Sequence, residues 1–354
     1  MNKISLLFVA ILMSLVFFSC SSIRIIEIET YNPSVITFPS EVKTIMIVNN
    51  SAQQSDDAGH RYMSKTKGDS LISASADSTA YKFCMSLGKA IAESPLFVDV
   101  RFCEDTLRRD SLFYNIKPFT VNDVDQFCND YGVDALITLD KIFFNTIYLD
   151  KDMAVVYGDV VNVEISGELR LLWPGQKEVY TVPFLDSLSW VLEDGGFFID
   201  NITKELLRRS DIKSAMLYIS EHVGNRVHTS FVPHWSEDKR WFYTSLSSEW
   251  KSGSVYAGAV KWAEAQKIWE PLYNKAENWK KKARLSSNLA LCNEMTGNFE
   301  KASEYAKISY DLFKEHDVEG SSYTSIQKLY IEVLDKRKQD DVLLSKQLQE
   351  VVNQ

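Results

Sequence analysis

Histidine and acidic side chains are the first candidates for metal binding or acid–base chemistry in this sequence. Three of its five histidines, His222, His228 and His234, follow one another at intervals of six residues. On a helix, that interval turns each side chain about 120° from the one before it, so the three do not share a face. The acid pairs in 123–125 and 150–152 are typical of a helix cap and a turn. The sequence therefore predicts neither a metal site nor a cofactor.

A serine at position 70 is the next candidate, because the segment Gly68–Leu71 (GDSL) resembles the signature of an esterase family whose serine is the nucleophile. In that family an Asp-x-x-His pair follows near the carboxyl terminus, whereas here such a pair, Asp57 with His60, precedes the serine. A serine hydroxyl without a partnered base is a weak nucleophile. We therefore predict that the chain is not an enzyme, and a serine hydrolase acting through Ser70 is the less favoured alternative.

Cys20 has the most informative position of the cysteines. It follows an apolar run, Ile4–Phe18, that is too short for a membrane span of about 20 residues but fits the core of a signal peptide. The segment Phe17–Cys20 resembles the lipobox of bacterial lipoproteins. That resemblance implies that residues 1–19 are removed and that the Cys20 thiol carries the lipid. The lipidated chain is then expected to label with palmitate. The alternatives are ordinary secretion with an incidental cysteine, or an uncleaved anchor.

Charge restricts the partners and the location. Lys and Arg total 39 against 48 Asp and Glu, a net charge of −9. The chain therefore lacks the basic field that binds nucleic acid.

In Bacteroidota lipoproteins that reach the cell surface, acidic residues closely follow the lipidated cysteine, whereas here the first acids are Glu27 and Glu29. The resemblance implies an outer-membrane lipoprotein of the cell envelope that faces the periplasm.

Four further cysteines, Cys84, Cys103, Cys128 and Cys292, match no metal-binding spacing. Three of them lie in apolar helical stretches, where buried free thiols are common. We predict free thiols, and a Cys84–Cys103 or Cys103–Cys128 disulfide is the alternative, since an exported chain permits one.

The amino-terminal half alternates between strand and helix patterns. Thr120 and Asp123 form a capping-box pattern that predicts the start of one helix, and Gly132 predicts its end. Residues 51–77 are polar and predict a loop. The remaining predicted elements are a strand at 42–49, a helix at 80–91, strands at 96–102 and 133–144, an antiparallel pair from 153–172 and 178–184, a further β-rich segment at 187–192, and helices from 198 and from 211 to 227.

The carboxyl-terminal region is helical and contains an internal repeat. Gly258 and Ala263 are echoed by Gly297 and Ala302 at a period of 39 residues. These glycines and alanines resemble the small residues that tetratricopeptide repeats place between paired helices, where small side chains allow the helices to approach closely. A final helix is predicted from Tyr323 to about Val351.

Larger parts of the chain resemble a Bacteroidota lipoprotein family of unknown function, in which an α/β domain precedes tetratricopeptide-like helices. The resemblance rests on Cys20, on residues 32–33 and 42–49 near the start of the mature chain, and on Asn288–Ala290 with Gly297. A fainter likeness, through 131–137, is to curli-assembly-type outer-membrane lipoproteins. Helical repeats build concave protein-binding surfaces, and together with the lack of a complete catalytic set they predict a non-enzymatic scaffold or protein-binding module. The alternative, which the curli likeness implies, is an oligomeric secretion or assembly component of the outer membrane.

These patterns together predict an α+β chain. A mixed α/β, sandwich-like domain with an antiparallel hairpin is followed by an all-α, tetratricopeptide-like helical array. The predicted boundaries are a signal peptide at 1–19, a lipidated tether at 20–40, the α/β domain at 41–230, a linker at 231–253 and the helical domain at 254–354.

Aromatic and arginine side chains near the predicted linker are the candidates for protein binding, because Trp, Tyr and Arg dominate interface hot spots. The alternative is that they pack within the linker and the helical core. The expected partners are another envelope protein and the membrane, the latter through the lipid on Cys20. The candidate residues are Trp235, Arg240, Trp241, Tyr243, Trp262 and Trp269.

Overall fold

The structure is a computed structural model that describes residues 23–104, 107–154, 158–192 and 201–352. Cys20 and the predicted signal peptide lie outside the described residues. The described residues divide into two compact units, the first comprising 23–32 with 235–343 and the second 33–234 with 344–352. Among the described residues, no helix has the length and apolar character needed to cross a membrane.

The described elements are nine strands and eight α-helices. The strands are β1 (Ile23–Asn32), β2 (Thr44–Asn49), β3 (His60–Ser64), β4 (Gly68–Leu71), β5 (Asp99–Phe102), β6 (Ala135–Leu149), β7 (Asp159–Leu172), β8 (Tyr180–Leu192) and β9 (His234–Tyr243). The helices are α1 (Thr79–Ala92), α2 (Val121–Tyr131), α3 (Asn201–Val227), α4 (Ser248–Gly258), α5 (Trp262–Asn274), α6 (Trp279–Met295), α7 (Phe299–His316) and α8 (Ser322–Val352).

A seven-stranded mixed sheet organises the second unit. Strand β6 is parallel to β2 and β3 along one edge and antiparallel to β7 along the other. Strand β5 extends the sheet beyond β2 in parallel, and the antiparallel β8 extends it beyond β7. Successive residues of a strand face opposite sides of a sheet, so Ile45 and Ile47 join the core beneath α1 while Met46 and Val48 join a smaller core beneath α2.

The predicted start and end of α2 are confirmed. The Asp123 N–H donates to the Thr120 hydroxyl at 3.3 Å, and the Thr120 N–H donates to the Asp123 carboxylate at 2.8 Å. Gly132 follows the helix in the left-handed conformation, with φ of 59°. A capping box and a left-handed glycine each satisfy backbone groups that a helix end leaves unpaired.

Two parts of the second unit differ from the predicted elements. The predicted loop at 51–77 contains the antiparallel pair β3 and β4, whose inward residues include His60 and Ser64. Their polar character hides the alternation that marks a strand. The helices predicted from 198 and 211 are one helix, α3, because no proline interrupts 201–227 and Asp211 continues the helix.

The first unit combines the two-stranded sheet β1–β9 with the helices α4–α7 and the larger part of α8. Ile28 of β1 and Phe242 of β9 lie in the same core as the helices. Residues 20–40 and 231–253, predicted as tether and linker, thus contain strands, because those strands supply apolar side chains to the helical core. The predicted α+β class is confirmed, with a mixed sheet and its helices first and five helices after them.

Cys84, Cys128 and Cys292 are buried free thiols, as predicted, and Cys103 is buried as well. Cys84, Cys128 and Cys292 lie in α1, α2 and α6. Burial raises the pKa of Cys128 to about 11 and that of Cys292 to about 12, which keeps both thiols protonated at neutral pH.

Candidate protein-binding surface

Arg240 forms part of the interior of the first unit. Its side chain is 5% exposed, and its Nε and Nη2 donate to the Glu294 carboxylate at 3.1 and 2.9 Å. The Tyr330 hydroxyl donates to the same carboxylate at 2.8 Å, and burial together with Glu294 raises the pKa of Tyr330. Arg240 therefore neutralises an acid inside the fold and does not face a partner.

Tyr243, Trp262 and Trp269 are buried as well. The Tyr243 N–H donates to Asn288 at 2.7 Å, and the Gln327 amide donates to the Tyr243 hydroxyl at 3.1 Å. Burial raises the pKa of Tyr243 to about 12. These aromatic residues hold the helical array together, which favours the packing alternative over an aromatic binding surface.

Two other predicted candidates remain at or near the surface of the first unit. Trp235 is 68% exposed, and its ring lies 5.0 Å from that of Tyr31 on the neighbouring strand. Trp241 is half-buried and lies 5.3 Å from the Tyr330 ring. Among the six predicted binding residues, Trp235 offers the largest exposed fraction.

Ser70 of the esterase-like segment and the preceding His60 lie on neighbouring strands. Ser70 is exposed on β4, opposite Tyr62 of β3. His60 is buried, with Nδ1 2.8 Å from the Thr146 hydroxyl, and burial lowers its pKa. In the described ranges, no group of three or more His, Cys, Asp or Glu side chains is arranged to hold a metal ion.

Strand β8 is the longest edge that the described sheet presents. It has 13 residues and pairs with β7, and among the described strands it has no partner on its other side. An edge strand offers unpaired N–H and C=O groups to another chain. Natural proteins usually protect such edges with charged side chains or proline, and β8 contains one of each, Asp186 and Pro183.

Phe184 fixes β8 to the core of the second unit. Its ring stacks on Phe83 of α1 at 4.7 Å, and it fills the space above Gly167 of β7. A Cβ atom on Gly167 would lie 2.3 Å from the Phe184 ring and 2.2 Å from the Lys141 carbonyl oxygen. The missing side chain at Gly167 thus lets β8 approach and keeps the edge in a defined place.

Two observations show which β8 backbone groups face away from β7. Pro183 has no N–H, and a sheet tolerates proline where that position faces outward. The Ser187 N–H donates to the carboxylate of its neighbour Asp186 at 2.8 Å, outside the ladder to β7. Because the direction of the backbone groups alternates along a strand, Leu185, Ser189 and Val191 also direct their N–H groups outward.

Strand β8 exposes apolar and aromatic side chains on both faces, with Leu185 and Val191 on one face and Tyr180 and Trp190 on the face of Phe184. Leu185 is 71% exposed and Val191 is 49% exposed. At the two ends of the strand, Tyr180 stacks on Trp173 at 5.8 Å and Trp190 lies 5.6 Å from Tyr218 of α3. These ring contacts hold aromatic side chains in place beside an open edge.

A groove of about 450 Å³ borders the centre of β8. Its walls are residues 183–186 of β8 and the segment from Val223 to Ser230 at the end of α3. Arg226 forms an ion pair with Asp186 inside this region. The open edge, the aromatic ends and the groove together form one surface, which we call the β8 surface.

A protein-family profile described as Domain of unknown function (DUF8603) matches residues 42–243, more than half of the chain. The chain belongs to this family. A second profile, Domain of unknown function (DUF6340), matches residues 251–336 within the five helices. The DUF8603 region contains the whole β8 surface. The two matches agree with an uncharacterised family that has an α/β region followed by a helical one.

Comparison with other proteins adds little to the family assignment. No curated protein matches the sequence. One solved structure that matches is described only as "Crystal structure of uncharacterized protein". It is 12% identical, with 55% of this chain and 99% of the other covered and a TM-score of 0.21. A TM-score this low does not establish a common fold.

Sequence reasoning missed the β8 surface because edge status depends on strand order. The sequence divides this strand into 178–184 and 187–192, and neither piece shows whether another strand lies beside it. The low charge of Tyr180–Leu192, with one acid in 13 residues, is the signal that was available.

Proposed function

We propose that the protein is a lipid-anchored, non-enzymatic scaffold of the bacterial cell envelope that binds another envelope protein along β8. The lipobox-like segment ending at Cys20 supports attachment to the outer membrane on its periplasmic side, and the likeness to Bacteroidota lipoproteins agrees with this. The observation that carries the binding role is the outward direction of alternate N–H groups on a strand whose other edge is paired.

The proposed binding mode is strand addition. An extended segment of the partner would accept hydrogen bonds from Ser189 and Val191, and main-chain hydrogen bonds supply much of the affinity in such complexes. Leu185 and the aromatic ends would contact the side chains of the added strand. Pro183 and the Asp186 carboxylate restrict pairing on the first half of β8, so the segment from Ser189 onward is the expected point of contact.

The test compares two substitutions at one residue. Ser189→Pro removes an outward N–H without breaking the ladder to β7, whereas Ser189→Ala keeps that N–H and changes only the side chain. After cross-linking in intact envelopes, we expect Ser189→Pro to lower recovery of the partner about tenfold or more, by loss of hydrogen bonds and steric blocking. Ser189→Ala should recover it as the wild type does.

The outcomes separate the alternatives. Equal recovery by Ser189→Pro and Ser189→Ala would contradict binding along β8. Recovery of the chain itself as the cross-linked partner, lost in Ser189→Pro, would favour the oligomeric assembly component. Ester turnover that disappears in Ser70→Ala would instead establish the hydrolase.

A further inference from the structure

We propose that one end of the first unit is a membrane-contact surface that lies against the lipid headgroups. The surface consists of Arg24 and Ile25 at the start of β1 and Val255, Tyr256 and Val260 at the end of α4. It is called the membrane-contact patch below. This inference rests on the proposed lipidation of Cys20 and adds to it the orientation of the first unit.

The distance along the chain brings this end of the unit to the bilayer. Ile23, the first residue of β1, is three residues after Cys20. Three residues span at most about 11 Å even when fully extended. A lipid on Cys20 holds that residue at the headgroup level. The start of β1 therefore cannot lie farther from the headgroups than this short reach allows.

The end of α4 lies beside the start of β1. A Cβ atom on Gly258 would be 3.0 Å from the Arg24 guanidinium, and that guanidinium lies over the Phe242 ring at 5.9 Å. Val255 and Tyr256 belong to the last turn of α4, and Val260 follows directly after it. The short reach from Cys20 thus places all of these residues at the membrane.

Apolar side chains are exposed at this end. Ile25, on the face of β1 opposite to Arg24, is 68% exposed, and on the α4 side Val255 is 62% exposed, Val260 59% and Tyr256 38%. An apolar face beside polar and basic side chains is the composition of protein segments that lie in the membrane interface.

Val260 also has an unusual backbone. Its φ is 60°, in the left-handed region that glycine or asparagine usually occupies after a helix. A β-branched residue there is a conformational outlier. Neither burial within the unit nor backbone preference accounts for valine at this position, whereas contact with lipid does.

The charges near the patch agree with an anionic lipid surface. Arg24 is exposed at the start of β1, and Lys261 is exposed directly after Val260. Basic side chains near a bilayer are attracted to anionic headgroups. From Lys251 to Lys261 the sequence has no acidic residue. An acyl anchor together with such a patch supplies two membrane signals.

The test places a polarity-sensitive NBD fluorophore at Val260 in the full, lipidated chain. The described cysteines are buried, and Cys20 carries the lipid, so Val260→Cys supplies a reactive thiol. Val318→Cys is the matched control, because Val318 is 79% exposed in the loop between α7 and α8. The antiparallel order of successive helices puts that loop at the opposite end of the array from the α4–α5 turn, as the contact of Trp279 with His316 indicates.

The chain is mixed with vesicles of phosphatidylethanolamine and phosphatidylglycerol and then floated on a density gradient. In the floated fraction we expect the NBD emission at position 260 to rise about twofold or more, and doxyl-labelled lipid to quench it, because the probe enters the interface. The probe at position 318 should change neither in emission nor in quenching.

Two failures are distinguishable. If the protein floats but positions 260 and 318 respond alike, the membrane-contact patch is overturned while the lipid anchor stands. If the wild type does not float and carries no palmitate, the lipid anchor itself is overturned, and the patch with it.

Discussion

The backbone N–H of Ser187 donates to the carboxylate of Asp186, the residue before it, at 2.8 Å in the middle of β8. This contact satisfies a group that would otherwise be open to an added strand. It also uses the single charged side chain of β8, which ion-pairs with Arg226. Asp186 therefore limits how far a partner strand can pair along the edge.

Replacement of this acid should open the edge further. We expect Asp186→Ala to raise recovery of the partner, or self-association, by about two- to tenfold, because one more N–H becomes available for a hydrogen bond. Arg226→Ala is the control, since it removes the ion pair and leaves the Asp186–Ser187 contact in place. Sedimentation and cross-linking measure both variants, and an equal effect of the two substitutions would contradict this role of Asp186.

The close approach of Phe184 to Gly167 should make that glycine essential. Gly167→Ala would place a Cβ atom 2.2 Å from a backbone oxygen, and overpacking of this kind lowers the free energy of unfolding by about 1–3 kcal/mol. Gly88→Ala is the control, because its added Cβ meets the Ile47 side chain at an ordinary 3.4 Å. Urea unfolding monitored by circular dichroism measures the difference. A loss as large in Gly88→Ala would argue against the steric explanation.

The buried pair of Arg240 and Glu294 should respond strongly to removal of one partner. Glu294 is 2% exposed, and after Arg240→Met it keeps only the Tyr330 hydroxyl and Arg337 at 3.7 Å. Because this buried carboxylate loses its closest cation, the free energy of unfolding should fall by about 3–5 kcal/mol. The double variant Arg240→Met with Glu294→Leu removes both charges and should recover part of that loss. Equal stability of the single and double variants, measured in urea, would refute the electrostatic account.

Asp134 links stability to pH. Partial burial opposes its ionisation, but donation from the Thr44 hydroxyl and from the N–H groups of Lys43 and Thr44 lowers its pKa. A lowered pKa stabilises the fold above the unfolded value of about 3.9, and this contribution is lost as pH falls through the folded pKa. Asp134→Asn should therefore lower the thermal midpoint at pH 7 and have little effect near pH 2. Asp99→Asn is the control. A fall in the thermal midpoint of Asp134→Asn that is the same at pH 7 and near pH 2 would contradict the prediction.

The lipid anchor is tested at Cys20. A serine hydroxyl stays protonated and does not accept the diacylglyceryl group as a thiol does. Wild type should label with palmitate and partition into detergent, whereas Cys20→Ser should be an unlabelled, soluble or unprocessed chain. Label retained by Cys20→Ser would overturn the assignment.

Local signals in the sequence predicted several elements correctly. Thr120 with Asp123 and then Gly132 marked both ends of α2, because a cap depends on residues within one or two turns. The predicted final helix from 323 to 351 agrees with α8, Ser322–Val352. The sequence did not distinguish buried from exposed aromatic residues, since Trp235 and Trp269 have the same side chain and opposite surroundings.

The sequence by itself determined the class of the chain: strand and helix alternation first, helices afterwards, with free buried thiols in apolar helices. These properties follow from periodicity and capping, which act over a few residues. The tertiary structure alone decided that β8 is an edge and that Arg240 lies inside. It also decided that 23–32 is a strand beginning three residues after Cys20. Each of these depends on contacts between residues far apart in the chain, such as Gly167 with Phe184, Arg240 with Glu294 and Arg24 with Gly258, which no local pattern records.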